Sequence, residues 1–197
     1  MTTILPPSKR LLLASITIIF GVALAVFLTW ATLPSVWPGP VKVVRVGGHS
    51  VFDVRDDGKL VNFADHVFFG QVLEKGRTIK TDGMLKTSFT VRVQEALKGS
   101  ANGTGTVKQA GGYSWIDHAL ILRGNDEPLE PGKSYLFVTR SRSQVGSHTF
   151  VTEYGDIELR VPPYANDDEV LSSQHAGELR ERFLDAIEHE TPYLSTP

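Results

Sequence analysis

Residues 87–97 run Thr87-Ser88-Phe89-Thr90-Val91-Arg92-Val93-Gln94-Glu95-Ala96-Leu97, and their alternation decides the fold class. Phe89, Val91 and Val93 fall on one side and Thr90, Arg92 and Gln94 on the other, with Leu97 following after a break at Glu95. Successive side chains of an extended strand point to opposite faces, so the stretch is a half-buried antiparallel strand, dry on one side and wet on the other.

Upstream, His66–Leu73 is a second strong strand, in which Val67, Phe68, Phe69, Val72 and Leu73 surround Gly70. A glycine inside such a run marks a bulge or a close backbone approach. Val41–Val46 predicts a first strand closed by Gly47-Gly48, and Ser50–Val54 a short second one turned by Asp56-Asp57-Gly58. Downstream, residues 98–105 form a loop and Thr106–Ala110 a return strand that Gly111-Gly112 breaks. The polar stretch Arg123–Glu130 separates Tyr113–Leu122 from a turn at Pro131-Gly132. Ser134–Thr139 follows, then Thr149–Glu153 and Ile157–Val161, the last two joined through Tyr154-Gly155-Asp156. Many short strands punctuated by Gly and Pro predict a mainly β fold, a closed or nearly closed antiparallel barrel rather than alternating strands and helices.

Near the end of the chain the period changes. Ala176, Leu179, Phe183, Ala186 and Ile187 recur at spacings of three and four, with Glu178, Arg180, Glu181, Arg182 and Asp185 opposite. This is an amphipathic helix, starting near Ser172 or Ser173 and ending around His189, whose apolar stripe covers the barrel. The alternative is a stripe that binds a partner or a second copy.

Before the strands, Leu11–Leu33 contains no charged residue, and Lys9-Arg10 stands immediately ahead of it. At about 1.5 Å per helical residue the run crosses a hydrocarbon core of about 30 Å. Pro34, Pro38 and Pro40 stop it, Trp30 and Trp37 suit the headgroup level, and the basic flank keeps the N-terminus cytoplasmic. A cleaved signal peptide with an Ala23-Leu24-Ala25 site is the competing reading, but Val26, Phe27, Leu28 and Trp30 continue the apolar run. The expected layout is a cytoplasmic tail (1–10), a single transmembrane helix (11–33), a Pro-rich linker (34–40), an extracytoplasmic barrel (41–163), a C-terminal helix packed on it (164–190) and a tail (191–197). The location is therefore the cell membrane, single-pass, with the C-terminal domain outside.

Composition narrows the function classes. Lys9 and Arg10 account for two of the 20 Lys+Arg, leaving 18 against 22 Asp+Glu beyond the linker. That mild acidity provides no basic footprint for nucleic acid. With no cysteine in the chain, disulfides, thiolate metal sites, Cys nucleophiles and a lipoprotein anchor are excluded together.

No catalytic signature stands out. His49, His66, His118, His148, His175 and His189 show none of the close spacings of a zinc helix. Gly103 and Gly105 are followed by no Gly-Lys-Ser/Thr, so no phosphate loop forms, and the sequence predicts neither cofactor nor metal. Asn102-Gly103-Thr104 fits a glycosylation sequon but reads first as a turn. Gly112-Tyr113-Ser114-Trp115-Ile116 lacks the second glycine of a nucleophile elbow. Ser114, Asp117 and His118 are neighbours in sequence, but a triad is defined by geometry.

One segment reads as a ligand-binding loop. Tyr113, Trp115 and His118 place aromatic rings beside polar groups, a combination frequent in interfaces and sugar sites. The alternative is that Tyr113 and Trp115 plug the barrel mouth.

A resemblance follows from order and spacing: Ala64-Asp65-x-Val67-Phe68-Phe69-Gly70-x-Val72, then Phe89-x-Val91-x-Val93-x-x-x-Leu97-Lys98-Gly99, Val107, Gly111-Gly112 and Leu129-x-Pro131-Gly132-Lys133-x-Tyr135-Leu136-Phe137. From Ala64 to Val161 the chain resembles bacterial secreted or membrane-tethered β-domains related in shape to the netrin and metalloproteinase-inhibitor modules. The resemblance implies a five-stranded OB-like barrel with a flanking helix. Metalloproteinase inhibitors depend on an N-terminal cysteine and on disulfides; this chain has neither, so that mechanism does not carry over. The expected function is non-enzymatic binding of a protein or polysaccharide partner outside the cell. The alternatives are an envelope hydrolase, or an accessory subunit of a membrane complex paired through Ser15, Thr17, Gly21 and Ala25.

Overall fold

The structure, a computed structural model, describes residues 41–47, 52–141 and 148–193, with backbone only for 148–154. The expected cytoplasmic tail, transmembrane helix and linker lie outside the described residues, as do residues 48–51 and the last four of the expected tail. Among the described residues no helix is long and apolar enough to cross a membrane.

The described chain runs β1 (Lys42–Val46), α1 (Asp57–Phe63), β2 (His66–Thr81), β3 (Met84–Lys98), β4 (Thr104–Ser114), β5 (Ala119–Arg123), β6 (Ser134–Ser141), β7 (His148–Glu158), α2 (Asp167–Leu171) and α3 (Gln174–Glu188). The strands form one sheet in the order β1-β5-β4-β3-β2-β6-β7, curled into a half-barrel. β1 pairs with β5 in parallel, a short parallel pairing joins Thr106–Lys108 of β4 to His148–Phe150 of β7, and the other neighbours are antiparallel.

Two apolar clusters hold the fold, one on each side of the sheet. Phe68, Val72, Phe89, Val91, Val107, Leu129, Tyr135 and Phe137 fill the concave side. Val67 and Phe69 of β2 and Leu136 and Val138 of β6 face the other way, beneath Leu60 and Val61 of α1, Val170 of α2, and Ala176, Leu179 and Phe183 of α3. β2 and β6 are thus buried on both faces, which is why their sequences are nearly continuous apolar runs rather than alternations. The C-terminal stripe covers the sheet as expected.

The break at Glu95 is a bulge. Phe69 pairs with Glu95 but Gly70 with Val93, so Gln94 is the extra residue and the inside–outside parity flips across it. Val93 packs on the concave cluster and Leu97 on the helix-covered one. Gly70 is needed there because a Cβ would lie 2.7 Å from Val91 Cγ1 and 3.1 Å from the Arg92 carbonyl oxygen.

Three local expectations are corrected. Asp56-Asp57-Gly58 does not turn a strand; Asp56 Oδ1 accepts the Lys59 amide at 3.1 Å, capping α1, whose Leu60 and Val61 need burial. Gly111-Gly112 does not end β4: with φ of +109° and +137° the pair bends the strand out of register with β3 and into register with β5. Tyr154-Gly155-Asp156 does not separate two strands, since β7 runs through it along β6 with one irregularity opposite Phe137–Thr139. A short helix outside the expected elements, α2, is started by Asn166 and Glu169 with a reciprocal capping box. α3 begins after Ser173, whose hydroxyl accepts the Ala176 amide at 3.3 Å, and ends at His189, as its periodicity predicts.

Charged side chains fasten the helices to β3 and to each other. Arg180 of α3 makes a bidentate pair with Glu95 and lies 5.4 Å over the Phe69 ring. Arg92 makes a second bidentate pair with Asp167, both bonds 2.9 Å, and Arg182 ties α3 to Asp57 of α1.

Candidate contact surface at the β4–β5 hairpin

The residues expected to form a binding loop sit on a hairpin. Past the glycine bend β4 pairs with β5 from Gly111↔Leu122 to Ser114↔Ala119, so Tyr113 and Ser114 lie in the strand and Trp115-Ile116-Asp117-His118 form the tip. The tip is locked internally: the Ser114 hydroxyl donates to Asp117 Oδ2 at 2.6 Å and accepts the Asp117 amide at 3.3 Å. His118 closes the turn with φ +47°.

This geometry decides how the side chains are used. Trp115 is 79% exposed and Ile116 90%, so Trp115 stands out from the sheet instead of plugging it. Tyr113 supports it edge-on, with ring centroids 4.9 Å apart and planes at 82°. His118 is exposed at the same tip. The structure therefore brings Tyr113, Trp115 and His118 to one projecting end, with the rings touching and the imidazole beside them in sequence.

Ser114 and Asp117 meet, but as a turn lock. A nucleophilic hydroxyl needs a base within about 3 Å to take its proton. Here Asp117 takes that bond, and among the described residues no hydrogen bond joins His118 to either partner. Of the other described histidines, His66 bonds Ser141 Oγ at 2.8 Å through Nε2 and accepts the Ser100 amide at Nδ1. Among the described residues no group of three His, Asp or Glu is placed to hold a metal ion.

Two recesses carry signals that the sequence did not reveal. One, about 260 Å³, is lined by Asp126, Glu127, Glu130, Tyr135, Asp156 and Glu158. Burial, with Asp126 nearby, pushes the Asp156 carboxyl well above the ordinary carboxylate range. Gln109 bridges this corner: its Nε2 donates to Asp156 Oδ2 at 3.0 Å and to the Glu127 carbonyl at 2.7 Å, while its Oε1 accepts the Leu129 amide. Tyr135 accepts the Glu130 amide, and burial raises its phenol to about 12. Lys133 neutralises Glu130 and Glu158 at 2.9 and 3.3 Å. These bonds clamp residues 124–130 against the sheet. The second recess, about 640 Å³, lies between α1, α3 and β7, with Leu60, Leu179 and Phe183 below Arg55, Arg160 and His175. The partners of Gln109 are too distant in sequence to be foreseen.

No protein-family model and no curated protein matches this chain.

Proposed function

We propose that the chain is a membrane-anchored contact domain that works by binding and performs no chemistry. Leu11–Leu33 is its transmembrane anchor, the short N-terminal tail is cytoplasmic, and the strands and helices from Val41 onward lie outside. The observation that carries the proposal is the β4–β5 tip, where Trp115 and Ile116 stay in water at 79% and 90% exposure although Phe68, Phe69, Phe89, Phe137 and Phe183 are buried elsewhere in the fold. An exposed Trp braced by a Tyr ring is a contact residue, and the partner expected of the domain is a protein or an envelope polymer.

The OB-like reading belongs to the same proposal. Traced through their pairings, β2, β3, β4, β7 and β6 run in a ring, with a single parallel step between β4 and β7. That connectivity suits the five-stranded barrel implied by the resemblance to netrin-like modules, a fold that binds through its loops and one sheet face. The hydrolase alternative gains nothing from Ser114, whose hydroxyl is held in the turn.

The test is site-specific photo-crosslinking from position 118 of the full chain in intact cells. A discrete adduct that disappears when Trp115 and Ile116 are both replaced by Ser supports the proposal. Its persistence in that variant removes the tip from the binding surface. Protease added to intact cells should cleave beyond Pro40; protection until lysis would reverse the orientation.

A further inference from the structure

An asparagine side-chain amide can be attacked by the backbone nitrogen that follows it, and the four asparagines of this chain are held very differently. Asn62, in α1, has both ends of its amide engaged: Nδ2 donates to Glu190 Oε2 at 3.0 Å and Oδ1 accepts the Tyr193 amide at 3.4 Å. Asn166 caps α2, its Oδ1 accepting the Glu169 amide at 2.9 Å. Asn125 precedes Asp126, whose amide nitrogen donates to the Arg123 carbonyl at 3.0 Å. All three are followed by a residue with a side chain, Phe63, Asp167 or Asp126, which crowds the approach.

Asn102 is different. It is exposed in the loop between β3 and β4 and precedes Gly103. Gly103 has φ +60°, and nothing lies within 4 Å of where its Cβ would stand. Among the described residues the Gly103 amide nitrogen donates no hydrogen bond, whereas its carbonyl accepts the Val93 amide at 2.8 Å. Asn102 Nδ2 donates to the Ser100 carbonyl at 3.0 Å, so the side chain folds back onto its own loop. The Asn-Gly pair that makes a good turn thus also leaves an uncrowded nitrogen next to an amide carbon.

The chemistry needs only water. Gly103 N bonds to Asn102 Cγ, closing a cyclic imide; the Cγ–Nδ2 bond breaks, and ammonia leaves with the Gly103 amide proton. Water then opens the imide. Attack at Cγ restores the main chain and leaves a side-chain carboxylate. Attack at the main-chain carbonyl instead routes the backbone through Cγ, which lengthens it by one methylene and leaves the carboxylate on the branch. No carbon is oxidised or reduced.

Both products matter at this place in the fold. Asn102 lines a recess of about 210 Å³ over Phe68, Val91 and Val93, where His66 is the only described lining residue able to carry charge. A longer backbone displaces the Gly103 carbonyl from the Val93 amide, the bond that closes the β3–β4 loop.

We infer that Asn102-Gly103 is a self-modification site, which converts to aspartate and isoaspartate, sets a carboxylate at the rim of the recess and loosens the Gly103–Val93 closure. The charge of the recess then depends on the age of the molecule. This goes beyond the proposed contact role and rests on neither the tip nor the anchor.

The full chain in detergent, aged in mildly alkaline buffer made with heavy-oxygen water, tests it. Peptides are followed by mass spectrometry with electron-transfer fragmentation, which separates aspartate from isoaspartate. Conversion at position 102, with heavy oxygen incorporated, should run several-fold faster than at 62, 125 and 166. Asn102→Gln, whose longer side chain closes its ring slowly, should stop it. Gly103→Ala should slow it several-fold with far-UV circular dichroism unchanged. In the aged protein the Val93 amide should exchange several-fold faster than in fresh protein, with β2 unaffected. An Asn102 that stays intact in the folded chain but converts in urea overturns the inference, as does earlier conversion at any of the other three. Conversion that leaves Val93 exchange unchanged overturns the loosening of the loop.

Discussion

The β2–β6 seam and the β1–β5 flank treat apolar side chains in opposite ways. Along the seam, Val67, Phe69, Leu136, Phe137 and Val138 are fully buried, because one cluster covers the concave face and three helices cover the other. On the flank, Val41 and Val43 are about half exposed and Trp115 and Ile116 stand largely in water. Both regions carry apolar side chains on one sheet, so hydrophobicity alone does not set their burial. Coverage does: the seam is packed on both faces, whereas these four flank residues belong to neither cluster.

The largest expected effect tests the seam. Phe183→Ala removes a ring with no exposure from the helix-covered cluster and should cost about 3–5 kcal/mol, read from chemical denaturation of the full chain in detergent. A loss below 1 kcal/mol would mean that α3 is not fastened as described. Next comes the joint between the regions. A Cβ on Gly112 would sit 2.3 Å from Thr87 Oγ1 at φ +137°, so Gly112→Ala should cost about 2 kcal/mol and loosen amide protection in β5 before β2. Equal protection in both strands would erase the distinction drawn here.

A smaller effect, of opposite sign, belongs to Asp156. Its folded carboxyl holds a proton more tightly than in the unfolded chain, so the stabilising difference is fully present below the ordinary carboxylate value of 3.8 and is lost as pH rises through the raised folded value. Asp156→Asn keeps an oxygen to accept from Gln109 and removes the charge. It should raise Tm modestly at neutral pH and flatten the pH profile above the ordinary carboxylate range; an unchanged profile would place the group in water. The smallest effect on stability is expected at the exposed β4–β5 tip. Trp115→Ser with Ile116→Ser should shift stability by no more than about 0.5 kcal/mol while abolishing the crosslink from position 118.

Much of the seam and its helix cover was legible beforehand. The alternation of 87–97 located β3, and the three- and four-residue spacing after Ser173 located α3, because each periodicity is imposed by a face that must be dry. The missed features depend on partners remote in sequence. Gly111-Gly112 looks like a stop in isolation, and only β5 beside it shows that the strand turns and continues. Asp56-Asp57-Gly58 has turn composition, yet burial of Leu60 and Val61 makes it a helix start. At the candidate site, the aromatic residues could be singled out but not oriented. Whether Trp115 fills a barrel mouth or stands in solvent depends on that glycine bend.

The parallel alignment of β1 on β5 has a mechanical corollary. Tension on the chain ahead of Val41, directed toward the hairpin tip, slides β1 along its neighbour instead of peeling it away. All rungs of that ladder then share the load, and the Arg45 guanidinium, bonded to the Gly124 and Asp126 carbonyls and to Glu127, resists the same displacement. The outermost strand thus meets such tension in shear along its whole length.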